Sequence, residues 1–347
     1  MIKSLAVESA TTDGRASPVP VGVIGGGLVA QAVHLPLLQR HGERFRIAAL
    51  AEPDRDTRRA VASRHAIGSA YADHRALLDV GGVEAVVVCS PNTTHAQIVV
   101  DALEAGVHVL VEKPLCVTLE EGEWIVAGRD RAQRVVQVGY MKRFDPAVEA
   151  LLEDLPASWE PAHIATATFD PGMREAFGVA PAADETTIGD AFLGALIHDV
   201  NLVNAVLARC GSAVERIVDA SGDGSRATAT IALAAGARWT AAWLALPGAG
   251  TFREHLALYG ADGVRELEFP APYALHEPTI YRHVRADGGG AVVTTRTSWH
   301  EAYERQLLHF HAAITAGTPC RTPAEEGVAD VRLLTDLLAV CGAGAAA

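Results

Sequence analysis

Hydrophobic positions along the chain fall into two regimes. Between Pro20 and Gly139, short continuous apolar runs alternate with stretches of helical spacing: Pro20–Ile24, Arg46–Ala51, Ala85–Cys89, Val107–Val111 and Arg134–Gly139 read as strands. Runs this apolar predict strands covered on both faces, as in a parallel sheet layered with helices. Helices are expected over Asp54–His65, His95–Glu104 and Leu119–Arg129, with Thr93 or Thr94 capping the second and Gly106 ending it. After Met141 the alternation stops. Strand-like stretches at His163–Phe169, Val214–Ala220, Ala227–Ala234, Arg238–Leu246 and His255–Tyr259 follow with short connections, predicting an antiparallel sheet. Helices at Ile197–Ala208, His300–Ala316 and Pro323–Val340 frame it, the last with Thr322 as cap, Pro323 in its first turn and Glu325 and Glu326 near the positive end of its dipole.

The fold class that follows is α/β: a doubly wound parallel sheet over residues 19–140, then an α+β unit over 141–347 with a large, open, mostly antiparallel sheet. A length of 347 residues fits two domains. Residues 1–18 read as a frayed tail, and no apolar run is long enough for a membrane span. Along Arg238–Leu246, Trp239, Ala241, Trp243 and Ala245 share one face and Thr240, Ala242 and Leu244 the other, and neither carries a charge. Both faces need cover, so helices are expected on one and, on the other, either a second subunit, giving a homodimer or homotetramer, or more of the same chain.

Composition narrows the picture. Hydrophobic residues make up 49% of the chain but aromatic residues only 5%, so the core is built from Ala, Val and Leu. A net charge of −13 argues against nucleic acid and anionic membrane as partners. The five cysteines are scattered without a C-x-x-C pair, which fits a reduced, cytoplasmic protein without a zinc knuckle.

The chemistry begins at the turn after the first strand, Gly25-Gly26-Gly27. Gly25 suits the tight turn, Gly27 lets the backbone approach a pyrophosphate, and Ala30 lets the helix lie close to the strand, the pattern G-x-G-x-x-G/A. The helix opening at Leu28 and Val29 points unpaired N–H groups at whatever sits over the glycines. The second strand ends at Glu52, which can accept both hydroxyls of an adenosine ribose and would repel a 2′-phosphate, so NAD is favoured over NADP.

Four stretches make the chain similar to the Gfo/Idh/MocA oxidoreductase family: the glycine turn with His34-Leu35-Pro36; Ser90-Pro91-Asn92-Thr93-Thr94-His95 with Gly106 through Glu112-Lys113-Pro114; Gly139-Tyr140-Met141-Lys142-Arg143-Phe144-Asp145-Pro146; and Gln306–Phe310 with Gly317-Thr318-Pro319. The resemblance implies hydride transfer between a nicotinamide and a carbinol or ketone of a sugar, sugar nucleotide or cyclitol, with Lys113 and His198 as acid–base and electrostatic groups. It implies cofactor contacts at Ser90, Asn92, His95, Glu112 and Lys113, and substrate contacts at Lys113, Arg143, His198 and Asp199. A neutral imidazole is a suitable base for the departing hydroxyl proton, and a lysine cation steadies the negative charge that develops. One position departs from the family pattern: Gly194 stands where an Asp is common, one helical turn before His198. Asp190 is eight residues before that His, and Asp199 points about 100° away on a helix. A non-catalytic ligand sensor on this fold, or a glycosidase or lyase using transient oxidation, are the alternatives.

No metal site is expected. His276-Glu277 with His283 lacks i+4 spacing and reads as a solvated loop, and His309 and His311 fall on nearly opposite helix faces, leaving only His309 to face a cleft.

Overall fold

The computed structural model describes residues 17–80, 82–170, 196–223, 226–245, 252–271, 274, 277–287 and 290–341. The tail up to residue 16, Asp190, Gly194, Leu246, His276 and the final residues 342–347 lie outside them.

Six parallel strands form the first sheet: β1 (Val19–Ile24), β2 (Phe45–Ala51), β3 (Ala70–Tyr71), β4 (Ala85–Val88), β5 (His108–Val111) and β6 (Val136–Val138), ordered β3-β2-β1-β4-β5-β6. This is the strand order of a dinucleotide-binding Rossmann sheet. Its crossovers are a wide helical turn (Ala30–His34) running into α1 (Leu35–Arg40), then α2 (Arg55–Arg64), α3 (His74–Val80), α4 (His95–Glu104) and α5 (Leu119–Ala132). Helices cover both faces, which is why Val86, Val87 and Val88 are all fully buried although they point alternately up and down. Local chemistry sets the boundaries. Asp54 caps α2 by accepting from the Thr57 N–H at 2.8 Å, Thr118 and Glu121 form a capping box on α5, and Gly106 (φ +73°) takes the left-handed turn after α4. Thr94 occupies the cap position of α4, but its hydroxyl donates to Ser90 Oγ and the Pro91 carbonyl, so the expected side-chain cap is absent.

A short 3₁₀ turn (Met141–Phe144) and α6 (Pro146–Asp154) lead into the second sheet. It holds β7 (His163–Asp170), β8 (Val214–Asp223), β9 (Arg226–Leu233), β10 (Arg238–Ala245), β11 (Arg253–Gly260), β12 (Gly263–Phe269), β13 (Thr279–Asp287) and β14 (Gly290–Ser298) in the order β14-β13-β12-β11-β7-β10-β9-β8. Among the described strands β7 and β10 pair in parallel and the other neighbours are antiparallel. Packed on one face are α6, α7 (Ile197–Arg209) and α9 (Ala324–Val340), while α8 (Ala302–Ala316) packs against the 3₁₀ turn. That face buries Ile164, Trp239, Ala241, Trp243, Leu256 and Leu267; the opposite one leaves Ala165, Ala167, Thr230, Thr240 and Ala242 partly exposed.

Three strands, β12 to β14, extend the sheet beyond those expected. His283 lies in β13 and not in a solvated loop: it is buried, with Nδ1 2.6 Å from Asp154 Oδ2. Thr322 does not cap the last helix either. It is buried and its hydroxyl donates to the Val138 carbonyl at 2.8 Å, tying the start of α9 to β6, and Pro323 takes the cap position without a side-chain bond. No helix among the described residues is long and apolar enough to cross a membrane.

Candidate active site

The parallel strands run in register, so Ala51, Ile24, Val88, Val111 and Val138 form one row across the sheet. The next residue on each strand makes a second row at the carboxyl edge: Glu52, Gly25, Cys89, Glu112 and Gly139. Ligands of doubly wound sheets bind outside this edge.

Gly25 has φ +97°, and a Cβ built on it would lie 2.6 Å from the Cys89 carbonyl oxygen. Only glycine fits there. Gly27 is the opposite case: it is exposed and nothing lies within 4 Å of its would-be Cβ. The helical ladder starts with Gln31 N–H donating to the Gly27 carbonyl at 3.1 Å, so the N–H groups of Leu28, Val29 and Ala30 precede it. An open glycine beside unpaired donors at a helix start fits a pyrophosphate. The Glu52 carboxylate accepts from Gly26 N–H at 2.7 Å and from Asp54 N–H at 2.9 Å, which places it beside the glycine turn at the end of β2. These residues fit a dinucleotide with its adenosine ribose over Glu52. Ser90 is half-buried and Asn92 exposed on the loop after β4.

His95 sits elsewhere than expected. It is fully buried, with Nδ1 2.7 Å from the Pro114 carbonyl and Nε2 2.9 Å from the Ser90 carbonyl. Its ring braces the loop after β5 against the loop after β4 and has no side turned to a cofactor. Glu112 is likewise turned inward. Its Oε1 lies 2.8 Å from Nε2 of the buried His34, its Oε2 accepts from the Lys113 N–H at 3.3 Å, and Gly139 leaves room for it, since a Cβ there would lie 3.1 Å from Oε2. Burial alone would push the His34 imidazole down, but Cys89 and Glu112, by charge and hydrogen bonding, raise it to about 10. Burial alone would raise Glu112; His34 and Lys113 outweigh it and hold the carboxyl below its ordinary value. The ion pair thus anchors the backbone from which Lys113 projects, at a cis Lys113–Pro114 peptide.

From the other side comes α7, with His198 in its first turn. The ring is half-buried and edge-on to Tyr140, with centroids 6.5 Å apart and an interplanar angle of 77°. Burial, then the charges of Lys113 and Lys142, hold His198 well below the ordinary imidazole value. The fold therefore brings His198 within reach of the Lys113 charge, which joins burial in keeping the imidazole neutral. Asp199, one residue on, is buried on a different side, where burial and the Glu254 charge raise it to about 8 against the opposing charge of Lys142; its Oδ2 has no hydrogen-bond partner among the described residues.

Arg143, expected at the substrate, is engaged elsewhere, while its neighbour Lys142 bears on the site. Arg143 turns away toward α9, pairing with Glu326 at 2.7 Å and reaching Asn201 Oδ1 at 3.4 Å. Lys142 is buried, ion-paired with Glu254 on β11 and 4.7 Å from the centre of the Phe269 ring, and its charge reaches His198 and Asp199. Sequence reasoning missed Lys142 and Glu254. The available signal was the 3₁₀ turn, in which successive residues point about a third of a turn apart and cannot both face one cleft. His309 does not face a cleft: Nδ1 lies 2.9 Å from Gln137 Oε1 and the ring packs on Phe144.

Comparison with known proteins places this geometry. Residues 19–140 match the GFO_IDH_MocA oxidoreductase family with an NAD-binding Rossmann fold. Inositol 2-dehydrogenase 1 of Saccharopolyspora erythraea is 30% identical over 322 residues, spanning 90% of this chain and 90% of its own. Among solved structures, myo-inositol 2-dehydrogenase from Lactobacillus plantarum superposes with a TM-score of 0.76 at 17% identity, covering 94% of this chain and 98% of that one. A 3-ketoreductase from Actinomadura kijaniata, solved with NADP and TDP-benzene, gives 0.76 at 20% identity over 93% and 98%. At these identities the two structures speak for the fold.

Proposed function

This chain is a member of the Gfo/Idh/MocA oxidoreductase family, and we propose that it transfers a hydride between NAD and a carbinol or ketone of a cyclitol, sugar or sugar nucleotide. The observation that carries this reading is the meeting of Lys113, from the carboxyl edge of the parallel sheet, with a neutral His198 from the facing helix. Nicotinamide, when bound, supplies the hydride acceptor. Gly25, Gly27 and the N–H groups of Leu28 and Val29 hold its pyrophosphate, Glu52 its adenosine ribose, and Ser90 and Asn92 line the approach. His198 takes the hydroxyl proton, because a carbon gives up hydride only as its oxygen is deprotonated. Lys113 hydrogen-bonds the same oxygen and steadies the charge left on it. Lys142, held in a buried ion pair with Glu254, adds its positive charge to the surroundings of His198. In this reading residues 19–140 form the nucleotide domain and 141–347 the substrate domain, and the partly exposed sheet face pairs copies of the chain.

NAD is preferred because Glu52 closes the space a 2′-phosphate needs. A cyclitol is the first substrate to try, since the relative matched along 90% of both chains is an inositol 2-dehydrogenase. Calorimetry with NAD(H) and NADP(H) comes first; failure to bind either ends the proposal. A screen of polyols with NAD, and of keto-sugars with reduced nicotinamide, follows. Net redox supports a dehydrogenase, bond cleavage without net redox replaces it with a transient-oxidation enzyme, and binding without turnover replaces it with a sensor. Lys113→Ala should lower turnover by on the order of 10²-fold while NAD affinity stays near its parent value.

A further inference from the structure

Helix α7 begins without a side-chain cap, at Leu196, although His198 sits in its first turn. Among the described residues, what orients it is its tertiary contacts. Asn201 and Asn204, at i and i+3, form one stripe of the helix, and Asn201 itself stands at i+3 from His198. Facing that stripe from α9 is Asp330, which is buried. It accepts from Asn201 Nδ2 at 2.8 Å on one oxygen and from Asn204 Nδ2 at 2.7 Å on the other. Asn201 is held from its other end by Arg143, 3.4 Å from Oδ1, and Arg143 is fixed by Glu326, one turn before Asp330 on α9. The Asp330 carboxylate also lies beside Tyr140, whose ring meets His198 edge to face.

We infer that Asp330 is a positioning residue for His198: by gripping Asn201 and Asn204 and backing Tyr140, it fixes the rotation of α7 and so the place of the imidazole. The inference rests on the proposed role of His198. A carboxylate is a poor choice here for stability alone, since a buried charge costs more than an apolar side chain of similar volume. Burial outweighs the hydrogen bonds from Asn201 and Asn204 and pushes the carboxyl up to about 6, with a smaller push from the Glu326 charge. What it adds is direction. Both oxygens must accept, so only one rotation of the helix satisfies both amides. Side chains reach about 5–6 Å from a helix axis, so releasing α7 through about 20° would move the His198 ring by about 2 Å. A misplacement of about 1 Å can cost on the order of 10²-fold in rate.

The test reads His198 itself in the full-length protein. Ring-¹⁵N histidine spectra are recorded across pH for the parent chain, for Asp330→Asn and for the exchange Asn201→Asp with Asp330→Asn; the His198 signal is assigned by its loss in His198→Gln. The charged and titratable groups that bear on His198 are Lys113, Lys142 and Tyr140, and those on Asp330 are Tyr140 and Glu326; all remain in both variants. In Asp330→Asn the amide can accept from one asparagine only, and the His198 titration midpoint should rise toward its ordinary value as the ring gains solvent. The exchange restores both bonds, because the amide placed on α9 donates to the new carboxylate on α7 and accepts from Asn204, and the midpoint should return. A His198 signal that titrates as in the parent chain in Asp330→Asn overturns the inference, whatever happens to thermal stability. So does an exchange variant that folds but leaves the midpoint where Asp330→Asn put it. Full turnover in His198→Ala sinks the proposed function instead, which is a separate result.

Discussion

Two glycines two residues apart should fail in different ways when given a methyl group. At Gly25 the new Cβ enters a left-handed backbone, φ +97°, and meets the Cys89 carbonyl oxygen at 2.6 Å. That carbonyl cannot step aside cheaply, because Cys89 is itself held by its N–H donating to the Ile24 carbonyl at 2.7 Å. The backbone term is about 1–2 kcal/mol and the overpacking term about 1–3 kcal/mol. Gly25→Ala should therefore lose about 2–5 kcal/mol and melt several degrees lower, with or without nucleotide. At Gly27 the would-be Cβ has nothing within 4 Å and the backbone is ordinary. Gly27→Ala should be neutral, or up to about 1 kcal/mol more stable through the unfolded chain. The methyl then occupies the space reserved for the pyrophosphate, so NAD affinity should drop at least about tenfold, about 1.4 kcal/mol. Thermal melts without nucleotide and calorimetry with NAD separate the two effects. If Gly27→Ala binds NAD like the parent chain, the pyrophosphate does not sit over this turn; if Gly25→Ala melts like the parent, the geometry of the row at the carboxyl edge is wrong.

Three further outcomes are expected. Glu52→Ala should weaken NAD binding and raise the NADP-to-NAD affinity ratio by about tenfold or more, measured by calorimetry; an unchanged ratio would show that Glu52 does not read the ribose. His34→Leu leaves the Glu112 carboxylate buried and unpaired, costing about 3–5 kcal/mol at neutral pH. Because folding raises His34 from 6.5 to about 10, its contribution is complete below about pH 6.5 and is lost as pH rises through about 10, so the gap in melting temperature from the parent should close toward pH 10; a constant gap removes the ion pair from the account. Finally, because burial and two lysines hold His198 well below the ordinary imidazole value, turnover should keep its plateau below the pH where a free histidine protonates. Lys142→Met removes one of those charges and should shift the acid limb of the rate profile upward, and an unshifted limb would mean that another group sets it.

The parallel half was legible because its strands are buried on both faces and its helices carry their own boundary signals. Asp54, Gly106 and the Thr118–Glu121 pair act within a few residues of where they stand, and so does the glycine turn. The second sheet was less legible because its polar residues are satisfied at long range. In β12 the fully buried Arg265 points inward, held by Asp262 and reaching the Asp154 carbonyl, so the alternation that marks a strand is broken by a charge. In β13, Tyr281 and His283 find Asp154 in the same way. Thr322 looked like a helix cap because caps are local, but a carbonyl of β6, far away in sequence, claimed its hydroxyl. Lys142 and Arg143 show the same limit at the site: identity placed both in one motif, and only the turn decided which faces His198.

The charge arrangement around His198 carries its own consequence. A base must be deprotonated to accept a proton, yet strong enough to hold it, and both properties follow proton affinity in opposite directions. Burial, and then the charges of Lys113 and Lys142, meet the first demand by keeping the imidazole neutral. They work against the second. A carboxylate facing the ring would restore proton affinity, but four residues before His198, where an Asp is common in the family, the sequence has Gly194. On the proposed reading, then, Lys113 carries more of the chemistry here than a well-supported imidazole would require of it: its charge lowers the proton affinity of the substrate oxygen at the same time as that of His198, bringing donor and acceptor back toward balance. On that reading a cation shared by a weak base and the hydroxyl it deprotonates acts on both partners, and the two groups rest on separate contacts: Lys113 on the Glu112–His34 pair, and the helix that carries His198 on Asp330.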